Sequence, residues 1–331
     1  MALAIMNVGQ YAKAPVRPSG DIVLTIQNQS TLGSTIEQFA TNGSIILGIT
    51  FNANSVFVSS DGGVTWSQVA LTRNVIDVYY SETTSKFYLL ESKASTNTLY
   101  YGESTDGTNW TWNALTPSTE NDVRGHKVAE NANGIVCYYL VNGQYTSEEI
   151  EDGTLTTIGI APSGQSSSYY SLSTLHVKTR NGIFFRYADN NKVFVYNSNG
   201  YISSEYILYN QNQKSRMGKV SYGTRGTSSG GIYPYELYVS DDFSTQVKYT
   251  TSLSSQIFEY PMGYFELNGV FYVFSQTRIA KGDNIQGIMD IFYEEAYDIA
   301  DMANLREILH LEGQHILLSA DGGKIYKCTL T

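Results

Sequence analysis

The sequence predicts an all-β chain built from one repeated unit of four antiparallel strands. Three observations carry that expectation. The first is a phrase, Ser59-Ser-Asp61-Gly-Gly63-Val-Thr65-Trp66, that recurs 45 positions on as Ser104-Thr-Asp106-Gly107-Thr-Asn-Trp110. A short Ser and a short Asp can hydrogen-bond turn amides, glycines tolerate positive φ, and the Trp inserts a large apolar ring between strands. The second is punctuation by Asn-Gly, the strongest two-residue hairpin signal, at Asn42-Gly43, Asn133-Gly134, Asn181-Gly182 and Asn268-Gly269. The third is composition. Charged residues make up 16% of the chain, where ~25% is usual. Tyr, at 27 residues, supplies polarity together with Ser, Thr, Asn and Gly, a mixture suited to strands and turns.

Each Asn-Gly is followed by an apolar strand, and weaker equivalents at Ser85-Lys86, Gly230-Gly231 and Gly313-Gln314 fill the gaps. Marking the second strand of each unit by residues 43, 86, 134, 182, 231, 269 and 314 gives steps of 43, 48, 48, 49, 38 and 45. Repeats of ~40–50 residues have the length of propeller blades. In the second unit the four strands fall at 75–81, 87–91, 98–103 and 110–115. In the fourth they fall at 175–179, 183–187, 192–196 and 201–208. The Ser-Asp phrase then sits between third and fourth strands, where Asn197-Ser-Asn-Gly200 and Ser240-Asp-Asp-Phe243 read as degraded copies. Ser319-Ala-Asp-Gly-Gly323 follows a second strand and reads as an ordinary hairpin turn.

The sixth unit carries a longer insert at 278–289 and one helical turn expected within 297–305; misreading it would reduce the count to six. The seventh, 305–311, 315–318 and 324–329, lacks a strand, while 21–27 is left over at the start. An open edge would expose unpaired backbone groups, so residues 22–27 are expected to complete the last blade. The fold predicted is a seven-bladed β-propeller of four-stranded antiparallel blades, closed by an N-terminal strand completing the last blade. It occupies 21–331 as one domain. Residues 1–20, with Leu3, Ile5, Met6 and Val8 apolar and Pro15, Pro18 and Gly20 as breakers, are expected to be an arm that docks on a neighbouring subunit.

A chain of 331 residues can bury roughly three quarters of its unfolded surface without disulfides. Cys137 and Cys328, far apart on predicted strands, are expected to be free and buried. The net charge of −10 argues against a nucleic-acid surface, which needs clustered Lys and Arg. No apolar run reaches the ~18 residues of a membrane span. The opening Met1-Ala-Leu-Ala-Ile-Met-Asn7 lacks the basic and long apolar regions of a signal peptide, so neither insertion nor a leader is expected.

The Ser-x-Asp-x-Gly-x-Thr-Trp spacing resembles the Asp box of sialidase-like β-propellers. The resemblance implies that Ser59, Asp61, Gly63 and Trp66, with Ser104, Asp106, Gly107 and Trp110, are structural and lie at blade peripheries, away from a central site. A sialidase centre would need three arginines to clamp a carboxylate, a Tyr nucleophile with its Glu, and an Asp acid/base. The chain has nine arginines, lacks that family's Arg-Ile-Pro motif, and places Arg17-Pro18 outside the expected ring. The acidic groups around 148–152 and 290–301 have no fixed separation and read as solvated faces rather than glycosidase pairs. No catalytic residue is therefore expected.

His126, His176, His310 and His315 fall in different units, without His-x-x-x-His or Cys-x-x-Cys spacing, so no metal and no cofactor are expected. Three of these histidines fall on strands that would line an axial channel. With their basic neighbours they give a candidate anion site at a channel mouth: His126, His176, Lys178, Arg180, Arg306 and His310. The competing reading makes them satisfied residues between blades. The doublets Tyr79-Tyr80, Tyr100-Tyr101, Tyr138-Tyr139 and Tyr169-Tyr170 are expected to send their rings to opposite faces of a strand and so between adjacent blades.

Asn-Gly hairpins, low charge, many Tyr and Thr, a degenerate box and no leader together resemble the β-propeller modules of bacteriophage virion proteins, including tail-tip, fibre and receptor-binding components. The resemblance implies a non-enzymatic virion structural or adsorption protein, assembled in the host cytoplasm and located in the virion. Residues 1–20 would meet other virion proteins. Loops such as 165–170 and 225–231 would face host cell-surface carbohydrate, and homo-oligomers within the particle are allowed. The alternative is a carbohydrate-binding lectin or glycoside hydrolase of sialidase-like fold. A third resemblance, to seven-bladed Asp-box proteins of photosystem biogenesis, implies an assembly factor, but those proteins carry leaders and this chain shows none.

Overall fold

A computed structural model of the chain describes residues 24–93, 97–116, 123–131, 134–141, 144–151, 155–160, 175–179, 182–189, 192–197, 200–201, 206–207, 220–225, 235–240, 246–250, 263–267, 269–275, 277–289, 297–298, 305–311 and 313–330. The arm at 1–20 lies outside the described residues. The chain opens with β1 (Leu24–Thr31). One seven-stranded sheet follows: β2 (Gln38–Thr41), β3 (Ile46–Ile49), β4 (Ala53–Ser59), β5 (Ser67–Ser81), β6 (Lys86–Glu91), β7 (Tyr100–Ser104) and β8 (Thr111–Ala114). A four-stranded sheet comprises β9 (Val123–Asn131), β10 (Gly134–Val141), β11 (Gln144–Glu149) and β12 (Leu155–Ile160).

The next sheet holds β13 (Leu175–Thr179), β14 (Gly182–Asp189), β15 (Lys192–Asn197), β16 (Gly200–Tyr201) and β17 (Tyr206–Ile207). Three strands, β18 (Val220–Arg225), β19 (Tyr235–Ser240) and β20 (Gln246–Thr250), form another. A further four are β21 (Gly263–Leu267), β22 (Val270–Phe274), β23 (Arg278–Gly282) and β24 (Tyr297–Asp298). The last sheet joins β25 (Leu305–His310), β26 (His315–Ala320) and β27 (Lys324–Leu330) to β1, in the order β1-β27-β26-β25.

That last order places the beginning of the chain beside its end. β1 pairs antiparallel with β27 from Leu24↔Leu330 to Thr31↔Lys324, with a register shift between Ile26 and Asn28. Gln27 Nε2 donates to Thr329 Oγ1 at 2.6 Å across the same seam. The pairing expected for 22–27 is present over 24–27, with 22–23 outside the described residues, and the strand runs four residues further toward the body than the sequence suggested.

Hairpins form at the described turns, while the expected turn at Gly230-Gly231 lies outside the described residues. Gly43, Gly134, Gly269 and Gly313 all have positive φ, and Ser85 adopts φ 54° at the weak Ser-Lys turn. A two-residue link that the sequence reading passed over, Asn142-Gly143, joins Val141 to its partner Gln144.

Along β6 and β26 side chains alternate and bury both faces. On β6, Phe87 and Leu89 pack with Leu47, Ile49, Val56 and Val58 of β3 and β4. Tyr88 and Leu90 pack the opposite way, with Val128, Ile135 and Cys137 of the β9–β12 sheet. On β26, Ile316 and Leu318 meet Tyr272 and Phe274 of β22, while Leu317 meets Ile46 and Phe57. β6 and β26 thus pack face to face with strands on both sides. Each fully buried Leu, Ile or Phe contributes about 2–3 kcal/mol by its removal from water. The tyrosine doublet on β5 splits as alternation requires: Tyr79 joins one interface and Tyr80 the other. Cys137 and Cys328 are both free and buried, and burial pushes the Cys328 thiol up to about 12.

Three expectations need correction. β5 is one strand of 15 residues, not two elements. Its first part, 67–70, pairs with β4, and its second part, 75–81, pairs with β6, so the backbone crosses between sheet halves without a loop. Ser240 ends the second strand of the β18-β19-β20 order, so Ser240-Asp-Asp-Phe243 follows a second strand and not a third. In the sixth unit, 278–282 is strand and 285–289 is helical, with Asn284 Oδ1 accepting from Gly287 N at 2.7 Å as an N-cap. Of the helical turn expected within 297–305, residues 297–298 are strand and 299–304 lie outside the described residues.

Candidate functional site

The two Ser-Asp turns sit between β4 and β5 and between β7 and β8. In the first, Ser59 Oγ accepts from Gly63 N at 2.8 Å and donates to Asp61 Oδ1 at 2.8 Å. Asp61 also accepts from Val64 N at 3.0 Å, Thr65 N at 2.9 Å and Thr65 Oγ1 at 2.6 Å. Trp66 Nε1 donates to Gly63 O at 3.1 Å. The second turn repeats this. Gly107 N donates to Ser104 Oγ at 2.9 Å, Thr108 N and Asn109 N each donate to Asp106 at 2.8 Å, and Trp110 Nε1 donates to Gly107 O at 3.0 Å.

Each turn presses a positive-φ glycine onto a leucine of another repeat. A Cβ on Gly63 (φ 87°) would lie 2.5 Å from Leu317 Cδ2, and one on Gly107 (φ 72°) would lie 2.5 Å from Leu47 Cδ2. Leu317 and Leu47 both belong to second strands, β26 and β3, so the two contacts are equivalent by repeat. Desolvation alone would raise the Asp61 carboxyl, but the hydrogen bonds from Thr65, Ser59 and Val64 outweigh it and bring it down to about 2. The Asn109 backbone N–H, then the Asn109 side chain, hold Asp106 below its ordinary value. Both stay ionised at neutral pH and have no proton to donate as a general acid. The turn at 319–323 is built otherwise. It closes the β26–β27 hairpin, its Asp321 takes Arg306 Nε at 2.5 Å, and Ser319 Oγ donates to Ile36 O at 2.6 Å.

The candidate channel residues do not all meet at one end of their strands. Leu305 pairs with Ala320 and His310 with Ile316, which puts Arg306 near the β26–β27 turn and His310 near the β25–β26 turn. Four residues of strand span about 13 Å. Lys178 is next to the β13–β14 hairpin pair Thr179↔Gly182, with His176 two residues further in. His126 lies toward the other end of β9, five residues from the Asn131↔Gly134 pair. Arg180 and the side chains of His126, His176, Lys178 and His310 lie outside the described residues. Arg306 is engaged by Asp321, whose hydrogen bond raises the guanidinium further above its ordinary value.

A different group gathers at the end of β5–β8 opposite the Ser-Asp turns. Where β5 crosses between its two partners, Arg73 lies with its Cζ 3.4 Å from the centroid of the Tyr100 ring and 5.9 Å from that of Trp112. Its Nη1 bonds Glu91 Oε1 at 2.9 Å, and Glu91 Oε2 accepts from Tyr100 N at 3.1 Å. Burial raises the Glu91 carboxyl, against the pull of Arg73. Trp112 lies across Gly102, its cross-strand partner, where no side chain keeps the ring away. Beside this group Ser92 Oγ donates to Asn52 Oδ1 at 2.8 Å. The sequence reading missed Arg73, Glu91 and Trp112 as a unit; the Trp110-x-Trp112 alternation opposite a strand glycine was the available signal.

No protein-family model matches the chain, and no curated protein matches it. Solved structures do. YCF48 bound to D1 peptide superposes with a TM-score of 0.57 at 12% identity, covering 91% of this chain and 96% of that one. The WD40 β-propeller domain of Doa1 gives 0.54 at 7% identity over 93% and 97%, and the Dos1 propeller gives 0.56 at 10% over 92% and 95%. The fold is a β-propeller. In a propeller the stacked sheets are blades, so the Ser-Asp turns are latches from one blade to the preceding one. Arg73 marks a blade-to-blade crossing on the face opposite those latches. Among the described residues no group of three or more His, Cys, Asp or Glu could hold a metal ion, and no helix is long and apolar enough to cross a membrane.

Proposed function

We propose that the chain forms a seven-bladed propeller of four-stranded blades, closed by β1, and that it serves as a structural or adsorption protein of a bacteriophage virion. We read its two Ser-Asp turns as Asp boxes with a purely structural role. The observation that carries the proposal is the β1–β27 pairing, which ties Leu24 to Leu330 at the edge of a sheet. On this reading an arm preceding Leu24 engages a neighbour while β1 stays paired with β27. The propeller is the rigid platform, residues 1–20 anchor it to other virion proteins, and its loops face host glycans. The Asp61 and Asp106 carboxylates, committed to turn amides, support a binding role over hydrolysis.

Deleting residues 1–20 tests the proposal. The truncated protein should melt as the full chain does but be missing from purified particles. Normal incorporation would remove the arm from the account. A glycan array run beside a chromogenic-glycoside screen separates the alternative: turnover would point to a glycoside hydrolase of this fold, and glycan binding by a protein with no place in particles would point to a lectin.

A further inference from the structure

The chain has three tryptophans. Trp66 and Trp110 donate their indole N–H to Gly63 O and Gly107 O. Trp112 Nε1 bonds to nothing among the described residues, and it is not sealed from solvent. The same is true around it. Arg73 engages only Nη1, with Glu91, and its Nε and Nη2 make no hydrogen bond among the described residues; its side chain is 22% exposed. The Tyr100 hydroxyl is also without a partner among the described residues, whereas those of Tyr79, Tyr88 and Tyr139 bond Glu130, Thr84 and Glu148. Two half-buried aromatic rings thus lie beside one guanidinium, which the Tyr100 ring and Glu91 hold in place, and the three side chains together carry four donor atoms with no partner among the described residues.

We propose that Arg73, Tyr100 and Trp112 form a saccharide-binding subsite, and that its ligand is a neutral sugar. Sugars present apolar C–H faces that stack on aromatic rings and hydroxyl or N-acetyl oxygens that accept from N–H and O–H donors. The Arg73 Nε–Nη2 edge is a planar fork suited to two such oxygens. Charge decides against an acidic sugar. Glu91 already balances Arg73, so a bound carboxylate would leave the site net negative on a chain of net charge −10. The subsite deepens the adsorption reading and rests on it for its biological sense, but its chemistry is tested separately.

The test is an array of neutral hexose and N-acetylhexosamine oligosaccharides printed with their sialylated and uronic-acid counterparts, probed with the full chain and its variants. Neutral spots should bind. Tyr100→Phe, which removes one oxygen and keeps the ring, should weaken them about fivefold, and Arg73→Lys by a similar factor through loss of the fork. Trp112→Ala should weaken them at least tenfold, on the order expected for a lost stacking ring and its donor. Each variant's melting temperature is read alongside, and if Trp112→Ala does not fold, the other two decide. An array bound nowhere, bound only at acidic sugars, or bound equally by the folded variants overturns the subsite. If the array is blank while particle incorporation still depends on residues 1–20, the subsite falls and the platform stands. If the variants lose neutral sugars while the arm proves dispensable, the reverse holds.

Discussion

At one end of the first two blades, Trp66 and Trp110 donate into the turns that follow β4 and β7, and Asp61 and Asp106 each collect several N–H and O–H donors. At the opposite end, Trp112, Tyr100 and two nitrogens of Arg73 have donors with no partner among the described residues. The residue types are alike; the difference lies in what surrounds them. The Ser-Asp turns are pressed against the preceding blade, so their polar groups must be satisfied within the turn. Arg73 sits at a crossing where the strand passes between blades at the surface, and water can meet what the protein does not. The comparison separates residues kept for architecture from residues available for recognition.

The largest expected effect is at the latches. Gly63→Val or Gly107→Val forces a β-branched side chain into a left-handed backbone and onto Leu317 or Leu47, costing on the order of 3 kcal/mol. Urea unfolding measures it, and a loss below about 1 kcal/mol would mean that the turn lifts off its neighbour at little cost. Next comes Glu148, a buried carboxylate that accepts from Thr116 N, Thr116 Oγ1 and Tyr139 OH. Glu148→Ala strands those donors and should cost about 2 kcal/mol by the same assay.

A paired substitution then sharpens the contrast between the ends. Trp110→Phe, which deletes an engaged N–H, should cost about 1 kcal/mol more than Trp112→Phe, which deletes an unengaged one; equal losses would erase the distinction drawn here. The smallest effect is a pH dependence. The Asp61 carboxyl lies at about 2 when folded, below its ordinary 3.8. A depressed carboxylate adds stability that is present above its unfolded pKa and lost as pH falls through the folded one. Acid titration of stability should therefore steepen between those two values and flatten in Asp61→Asn. An unchanged slope in the variant would show that the turn amides do not discriminate between the ionised and protonated acid.

Much of the architecture was legible because it is written locally. Asn-Gly pairs set hairpins through glycine's positive φ, as at Gly43 and Gly269. The leftover strand at the start and the missing one at the end pointed to the β1–β27 seam because an unpaired edge is unfavourable. The Tyr79-Tyr80 split followed from alternation alone. What escaped notice depends on neighbours that sequence does not reveal. Nothing near Thr72 announces that β5 will run on through a blade crossing, since no Gly or Pro marks it and none is needed. The helix at 285–289 follows Asn284, a cap inside an apolar insert, while the acidic stretch near 297 looked more helical. Above all, whether a Trp N–H is engaged depends on which carbonyl lies beneath the ring. Trp110 and Trp112 are two residues apart on nearly the same strand, and only three-dimensional context separates them.

Joining the two sides of the β1–β27 seam tests whether the first strand seals the proposed ring. Thr25 and Thr329 face each other across the β1–β27 seam, within the reach of a disulfide. The double variant Thr25→Cys, Thr329→Cys should cross-link under mild oxidant in the folded full chain, and reduction should lower its melting temperature. Two thiols that remain separately alkylatable in the native protein, with no cross-linked species formed, would contradict the closure and the placement of the arm that depends on it.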